Sequence, residues 1–120
     1  MKQYKVNKAT LNFISYYLVP NSLSQITNKS FDVMIKKNVD WDYIKEYIKS
    51  MDYNVFLKTD YWAIITKQVK RNKQCVLCGN TKTLRCHHTT YNIRGEEHKH
   101  LEKLICVCDK CHKNIHNKEN

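Results

Sequence analysis

All six cysteines and all six histidines of this chain lie between Cys75 and His116, and residues 1–74 contain neither. The special chemistry is therefore confined to the C-terminal part. Cys75-Val-Leu-Cys78-Gly79 is a C-x2-C followed by glycine, and Cys108-Asp-Lys-Cys111 is a second C-x2-C. Two residues between thiolates let both sulfurs turn towards one ion, and the glycine permits the tight backbone this needs. Two such knuckles supply four thiolates, the donor set of a closed tetrahedral structural Zn2+ site. The 29 residues between them exceed the roughly 15–20 of a common zinc ribbon, so the segment is long enough to be a functional insertion. Cys86 and Cys106 are left over. Cys106 stands two residues before Cys108, so an exchange of ligands is conceivable, but packed thiols are the simpler role for both.

The chain has 120 residues and 14.4 kDa, the size of one domain or of one domain with a short appendage. No apolar run approaches the roughly 20 residues needed to span a bilayer, which excludes an integral membrane protein. Two glycines and one proline exclude collagen-like and Pro/Gly-rich disordered chains. Residues 1–5 followed by the stretch 11–19 faintly resemble a secretion signal. Asn12, Ser15 and two tyrosines interrupt that stretch, and Pro20-Asn21 is no small-residue cleavage site. The expected compartment is the cytoplasm, of a bacterium or of a phage-infected host, where cysteines serve metals more often than disulfides. A formal charge of +10 points to a polyanionic partner, since such a field attracts phosphate backbones.

The first part reads as helical. Thr10 is the expected cap of a helix with Phe13, Ile14, Tyr17 and Leu18 on one face, stopped by Pro20. Ser30 is expected to cap a second helix with Phe31, Met34 and Ile35. Asp40 is expected to cap a third, striped by Ile44, Tyr47, Ile48 and Met51. Thr59 is expected to cap a fourth, with Trp62, Ile65 and Val69 inward and Lys67, Lys70 and Arg71 towards the other side. Stripes of this kind are usually core. The composition suggests two units, a helical extension over 1–57 and a metal-bearing domain over 58–120.

The insertion holds Leu84-Arg85-Cys86-His87-His88-Thr89-Thr90-Tyr91, and the second knuckle continues to His112 and His116. His112 and His116 stand four apart, so on a helix they share a face and can bind one ion. His87 and His88 are neighbours, and on a strand they point to opposite faces. The economical assignment makes one of them a ligand with His112 and His116 and leaves the other as a proton acceptor. Three neutral imidazoles leave open positions on a divalent ion, the mark of a catalytic site. Such an ion can polarise a phosphodiester while a nearby histidine takes a proton from water. His98 and His100 read as ordinary histidines.

Taken in order, these residues resemble the HNH endonucleases, in the small zinc-knuckle version found in phages and bacteria. The pattern is C-x2-C, His-His-x-Thr-Tyr, a Gly with a Glu nearby, then Leu-x-x-Leu-x-x-x-Cys-x-x-Cys-His-x-x-x-His. It covers about residues 56–117, including the lead-in Phe56-Leu57-Lys58-Thr59-Asp60-Tyr61-Trp62. The resemblance implies an α+β protein with a ββα-metal (His-Me finger) domain, in which a β-hairpin carries His87-His88 and a helix carries His112 and His116. By similarity, His87 is the first catalytic-metal ligand, His88 the general base, and His112 and His116 complete the metal triad. Cys75, Cys78, Cys108 and Cys111 hold the structural Zn2+. The catalytic ion would be Mg2+, Mn2+, Ni2+ or Zn2+, and the products 5′-phosphate and 3′-hydroxyl ends. One position departs from the family. Lys103 stands where the family carries Asn or Asp, the residue that braces the loop orienting the base.

Arg94, Lys113, Lys67, Lys70 and Arg71, with Lys73 and Arg85, are candidate phosphate contacts on double-stranded DNA. Such contacts position a duplex but read no sequence. A homodimer is compatible with this reading. The rival readings are a non-catalytic zinc-ribbon module that binds nucleic acid, and a basic accessory protein of assembly. The two histidine pairs argue against the first rival, because a closed four-thiolate site needs neither.

Overall fold

A computed structural model describes residues 4, 6–20, 30–70 and 73–118, apart from the side chains of 91 and 116–118. Helix α1 spans Lys8–Tyr17, and its cap is Asn7, not Thr10. Asn7 has extended backbone, and its side chain accepts from the Thr10 backbone N–H at 2.8 Å. Thr10 is instead buried inside the first turn. Its hydroxyl donates to Asn7 Oδ1 at 2.7 Å and accepts from the Asp40 N–H at 2.9 Å. A side chain expected to begin one helix thus ties it to the start of another.

Helix α2 (Phe31–Ile35) is capped by Ser30 and α3 (Trp41–Ser50) by Asp40, whose carboxylate accepts from the Tyr43 N–H at 3.1 Å. Helix α4 (Tyr53–Phe56) is a single turn that the periodicity did not announce, started by Asp52. Helix α5 (Asp60–Lys70) begins where Thr59 Oγ1 accepts from the Trp62 N–H at 3.3 Å. Strands β1 (Leu84–His88) and β2 (Leu104–Cys108) pair antiparallel, with Cys86 opposite Cys106, His87 opposite Ile105 and His88 opposite Leu104. Helix α6 (Asp109–Lys118) follows β2 without a break.

The architecture is therefore mixed α and β, with a small two-stranded antiparallel sheet among the described residues. The segment joining β1 to β2 is no tight turn but a folded loop with three short 3-10 turns. Its base is closed by Thr89, whose N–H and hydroxyl both donate to the Lys103 carbonyl, at 2.9 and 2.7 Å. At position 103 the backbone ties the loop, while the lysine side chain is exposed.

Two apolar clusters fill the interior. The larger joins Phe13, Tyr17, Met34, Ile44, Ile48 and Phe56 to Tyr61, Ile65, Ile93 and Leu104. It draws side chains from both sides of residue 57. The smaller gathers Val107, Cys75 and Cys108 with Leu84, Ile105 and Ile115. Strand β2 contributes to both, which explains why its residues are buried without the alternation of a half-exposed strand. No helix among the described residues is long and apolar enough to cross a membrane.

Ile48 is fully buried in the larger cluster. Ile48→Ala is expected to lower the unfolding free energy by about 2–5 kcal/mol in a urea titration, through lost burial and a residual cavity. Val33→Ala on exposed surface should change it by less than about 0.5 kcal/mol.

Candidate functional site

The first knuckle is shaped by its backbone. The Cys75 N–H donates to the Asn80 carbonyl and the Gly79 N–H to the Cys75 carbonyl, both at 2.8 Å. Gly79 has φ +79°, a left-handed conformation that glycine adopts without steric cost. The Val76 N–H donates to the Cys106 carbonyl at 3.0 Å and docks the knuckle on β2. The result brings the sulfurs of Cys75, Cys78, Cys108 and Cys111 within 4.8 Å of one another, with Cys78 and Cys108 at 3.6 Å. A tetrahedron built on metal–sulfur bonds of about 2.3 Å has edges of about 3.8 Å. The four cysteines therefore fit a structural metal ion such as zinc.

Electrostatics agree with that fit. Burial raises the Cys75 thiol, but backbone hydrogen bonds from Cys108, Leu77 and Cys78 outweigh it and bring the group down to about 6. Contact with the Cys108 sulfur, and then burial, pushes Cys111 up to about 12. A first proton leaves such a cluster readily. The later ones leave when a cation takes up the charge. Cys106 is not in the cluster, and burial pushes Cys86, its partner across the sheet, up to about 12. A thiol so fully protonated is inert.

Along β1 runs a groove of about 630 Å³. All five residues of β1 line it, with α5 contributing Trp62, Thr66 and Lys70, and α6 contributing Asp109 and His112. The groove thus takes in both faces of β1, and the neighbours His87 and His88 have different surroundings. The His87 ring lies against His112, with centroids 5.4 Å apart and planes at 76°. The His88 ring stacks on Trp62 at 5.0 Å and 7°, and its Nε2 lies 3.0 Å from Glu97 Oε2. Both histidines are more than nine-tenths buried. His116 is one helical turn beyond His112 on α6, and its side chain lies outside the described residues.

Glu97 is the residue that sequence reasoning did not place in the site. It is fully buried and meets three hydrogen-bonding partners. Oε1 accepts from the Gly95 N–H at 2.9 Å and from the Tyr61 hydroxyl at 3.1 Å, and Oε2 faces His88. Burial, and then the Glu97 charge, push the Tyr61 phenol well above its usual range, so it stays a donor. The Tyr61 oxygen also lies 3.0 Å from His98 Nδ1. Burial, and then the Lys99 charge, hold His98 down to about 4 and keep it neutral. In the sequence, the one hint was an acidic pair beside Gly95 inside a basic, histidine-rich insertion.

The candidate phosphate contacts divide. Lys67 and Lys113 are exposed on α5 and α6, and Lys73 is exposed before the knuckle. Lys70 lines the groove and donates to the Leu84 carbonyl of β1 at 3.3 Å. Arg85 is ion-paired with Asp109. Arg94 turns inward: Nη2 donates to the Met51 carbonyl at 2.7 Å, and its guanidinium lies 5.3 Å from the Tyr53 ring and 5.4 Å from the Phe56 ring. Its guanidinium is thus engaged with the end of α3 and with α4. Arg71 lies outside the described residues. No family model, curated protein or solved structure matches the chain.

Metal counting checks the cluster. Cys111→Ala is expected to lose the tightly held ion, whereas Cys106→Ala and Cys86→Ala, outside the four-sulfur group, retain it.

Proposed function

We propose that this protein is a metal-dependent endonuclease of the HNH type that hydrolyses DNA phosphodiester bonds. The observation that carries the reading is the partition of two adjacent histidines on β1. His87 faces His112, and His88 is held by Glu97 and Trp62, yet both line one groove. One ring thus lies beside a candidate ligand, His112, and the next is bonded to Glu97 and stacked on Trp62, a pairing that supports a division of labour between ligand and base. The β1–β2–α6 order, with the helix running directly out of the second strand, supports a ββα-metal arrangement.

In this reading His87, His112 and His116 hold one divalent cation, of which Mg2+, Mn2+, Ni2+ and Zn2+ are candidates. When bound, that ion polarises the phosphodiester and stabilises charge on the departing oxygen. His88 removes the proton from the attacking water. Cys75, Cys78, Cys108 and Cys111, with their own zinc, fix α6 against β2 and so keep His112 beside His87. Lys67 and Lys113, exposed on the two helices that border the groove, steer the duplex by its phosphates. Even with four thiolates and one zinc ion the charge balance remains strongly positive, so DNA affinity should fall steeply with salt.

One observation favours a second reading, a non-catalytic zinc-ribbon module that binds nucleic acid. The His88 side chain is only 2% exposed, and a buried histidine of this kind can serve structure alone. A plasmid-nicking assay across the four metals separates the two. His88→Ala is expected to reduce nicking by about a hundredfold or more while zinc content is retained, with a lower thermal midpoint because the buried Glu97 loses a partner. Nicking at the parental rate in His88→Ala would remove the base from the scheme. A parent protein that binds DNA and cuts nothing in any metal would establish the binding module.

A further inference from the structure

The state of the His88 ring is set by the groups around it. A carboxylate has only acceptors. Glu97 Oε1 already takes the Gly95 N–H and the Tyr61 O–H, and Oε2 lies 3.0 Å from His88 Nε2. Where Glu97 is ionised, Oε2 can only accept, which pairs it with the Nε2–H form of His88, the form whose basic nitrogen is Nδ1. Trp62, stacked at 5.0 Å and nearly parallel, fixes the plane in which that nitrogen lies. The carboxylate is as fixed as the ring. Gly95, two residues before it, has φ +93°, and a Cβ there would stand 2.9 Å from the Cα and 3.0 Å from the carbonyl oxygen of Lys45 on α3. Glu96 pairs with Lys45 at 2.5 Å, and His98 stacks on Trp41 with ring centroids 4.2 Å apart. Loop residues on both sides of Glu97 are thus pressed against one N-terminal helix.

We propose that Glu97 is the positioning residue of the site, selecting the Nε2–H tautomer of His88, and that α3 is the buttress that holds Glu97 in place. This rests on the reading of His88 as general base. It also supplies, from a different residue, the bracing that position 103 lacks as a side chain. Exchange of the carboxylate for an amide in Glu97→Gln gives a sharp consequence. If the new amide keeps its oxygen towards Gly95 and Tyr61, its NH2 group faces His88 Nε2. Two donors cannot face each other, so the histidine proton must move to Nδ1, and the basic nitrogen becomes the wrong one.

The test is the ring-nitrogen 15N spectrum of His88 in the zinc-loaded full chain, together with nicking kinetics. The parent should show the Nε2–H pattern, and Glu97→Gln should show the Nδ1–H pattern. Nicking by Glu97→Gln should drop by about a hundredfold in kcat, with KM for DNA within a factor of about three. Glu97→Asp, which keeps the charge, should recover part of the rate. Should Glu97→Gln fail to fold, the parent spectrum and Tyr61→Phe, which removes one donor to Glu97, carry the test. A parent in the Nδ1–H form, or Glu97→Gln with parental tautomer and kcat, overturns the proposal. Active His88→Ala instead defeats the base assignment and leaves the tautomer result standing, so the two failures are distinguishable.

Discussion

Four sulfur atoms within 4.8 Å of one another impose the constraint on which the candidate site depends. Thiolates at that spacing repel, and a cation among them turns the repulsion into a cross-link between the knuckle, the end of β2 and the first turn of α6. Because Cys108 ends β2 and Asp109 begins α6, the cluster sets the angle between strand and helix. That angle decides where His112 falls relative to His87. A structural site and a proposed catalytic one are therefore coupled through a junction of a few residues.

The N-terminal helices have a second role beside enlarging the core. Side chains of α1 to α5 pack as one cluster with Ile93 and Leu104. The same helices provide the surface on which the loop between the strands is shaped. Trp41 takes His98, Lys45 takes Glu96 and excludes any side chain at 95, and the Met51 carbonyl takes Arg94. A loop of this length would otherwise have many conformations, and a buried carboxylate at its centre would be costly. Pressed on α3 and given three partners, that carboxylate becomes a fixed acceptor beside His88.

How much of this was legible in the sequence depended on how local each determinant is. The four-cysteine set was legible because each C-x2-C defines its own turn. The opposed surroundings of His87 and His88 followed from strand alternation. Caps at Ser30 and Asp40 obeyed local rules. The cap at Asn7 was missed because Thr10 is also a favoured capping residue type, and only its bond to the Asp40 N–H shows why it lies inside the turn. Helix α4 is too short to leave a periodic trace. The role of Glu97, hinted at only by the acidic pair beside Gly95, and the inward turn of Arg94 were hard to read for another reason. Their roles arise from contacts with α3, α4 and α5, tens of residues away, and an acidic or basic residue in a polar insertion carries no mark of being folded inward.

The arrangement of the metal positions is open to one direct measurement: anomalous diffraction from crystals of the full chain soaked in Ni2+ or Zn2+. Two peaks per chain are expected. One should lie at the centre of the four sulfurs, and the other about 2.0–2.1 Å from ring nitrogens of both His87 and His112. A single peak, confined to the cysteines at saturating metal while the two rings stand clear of any ion, would contradict the two-site arrangement.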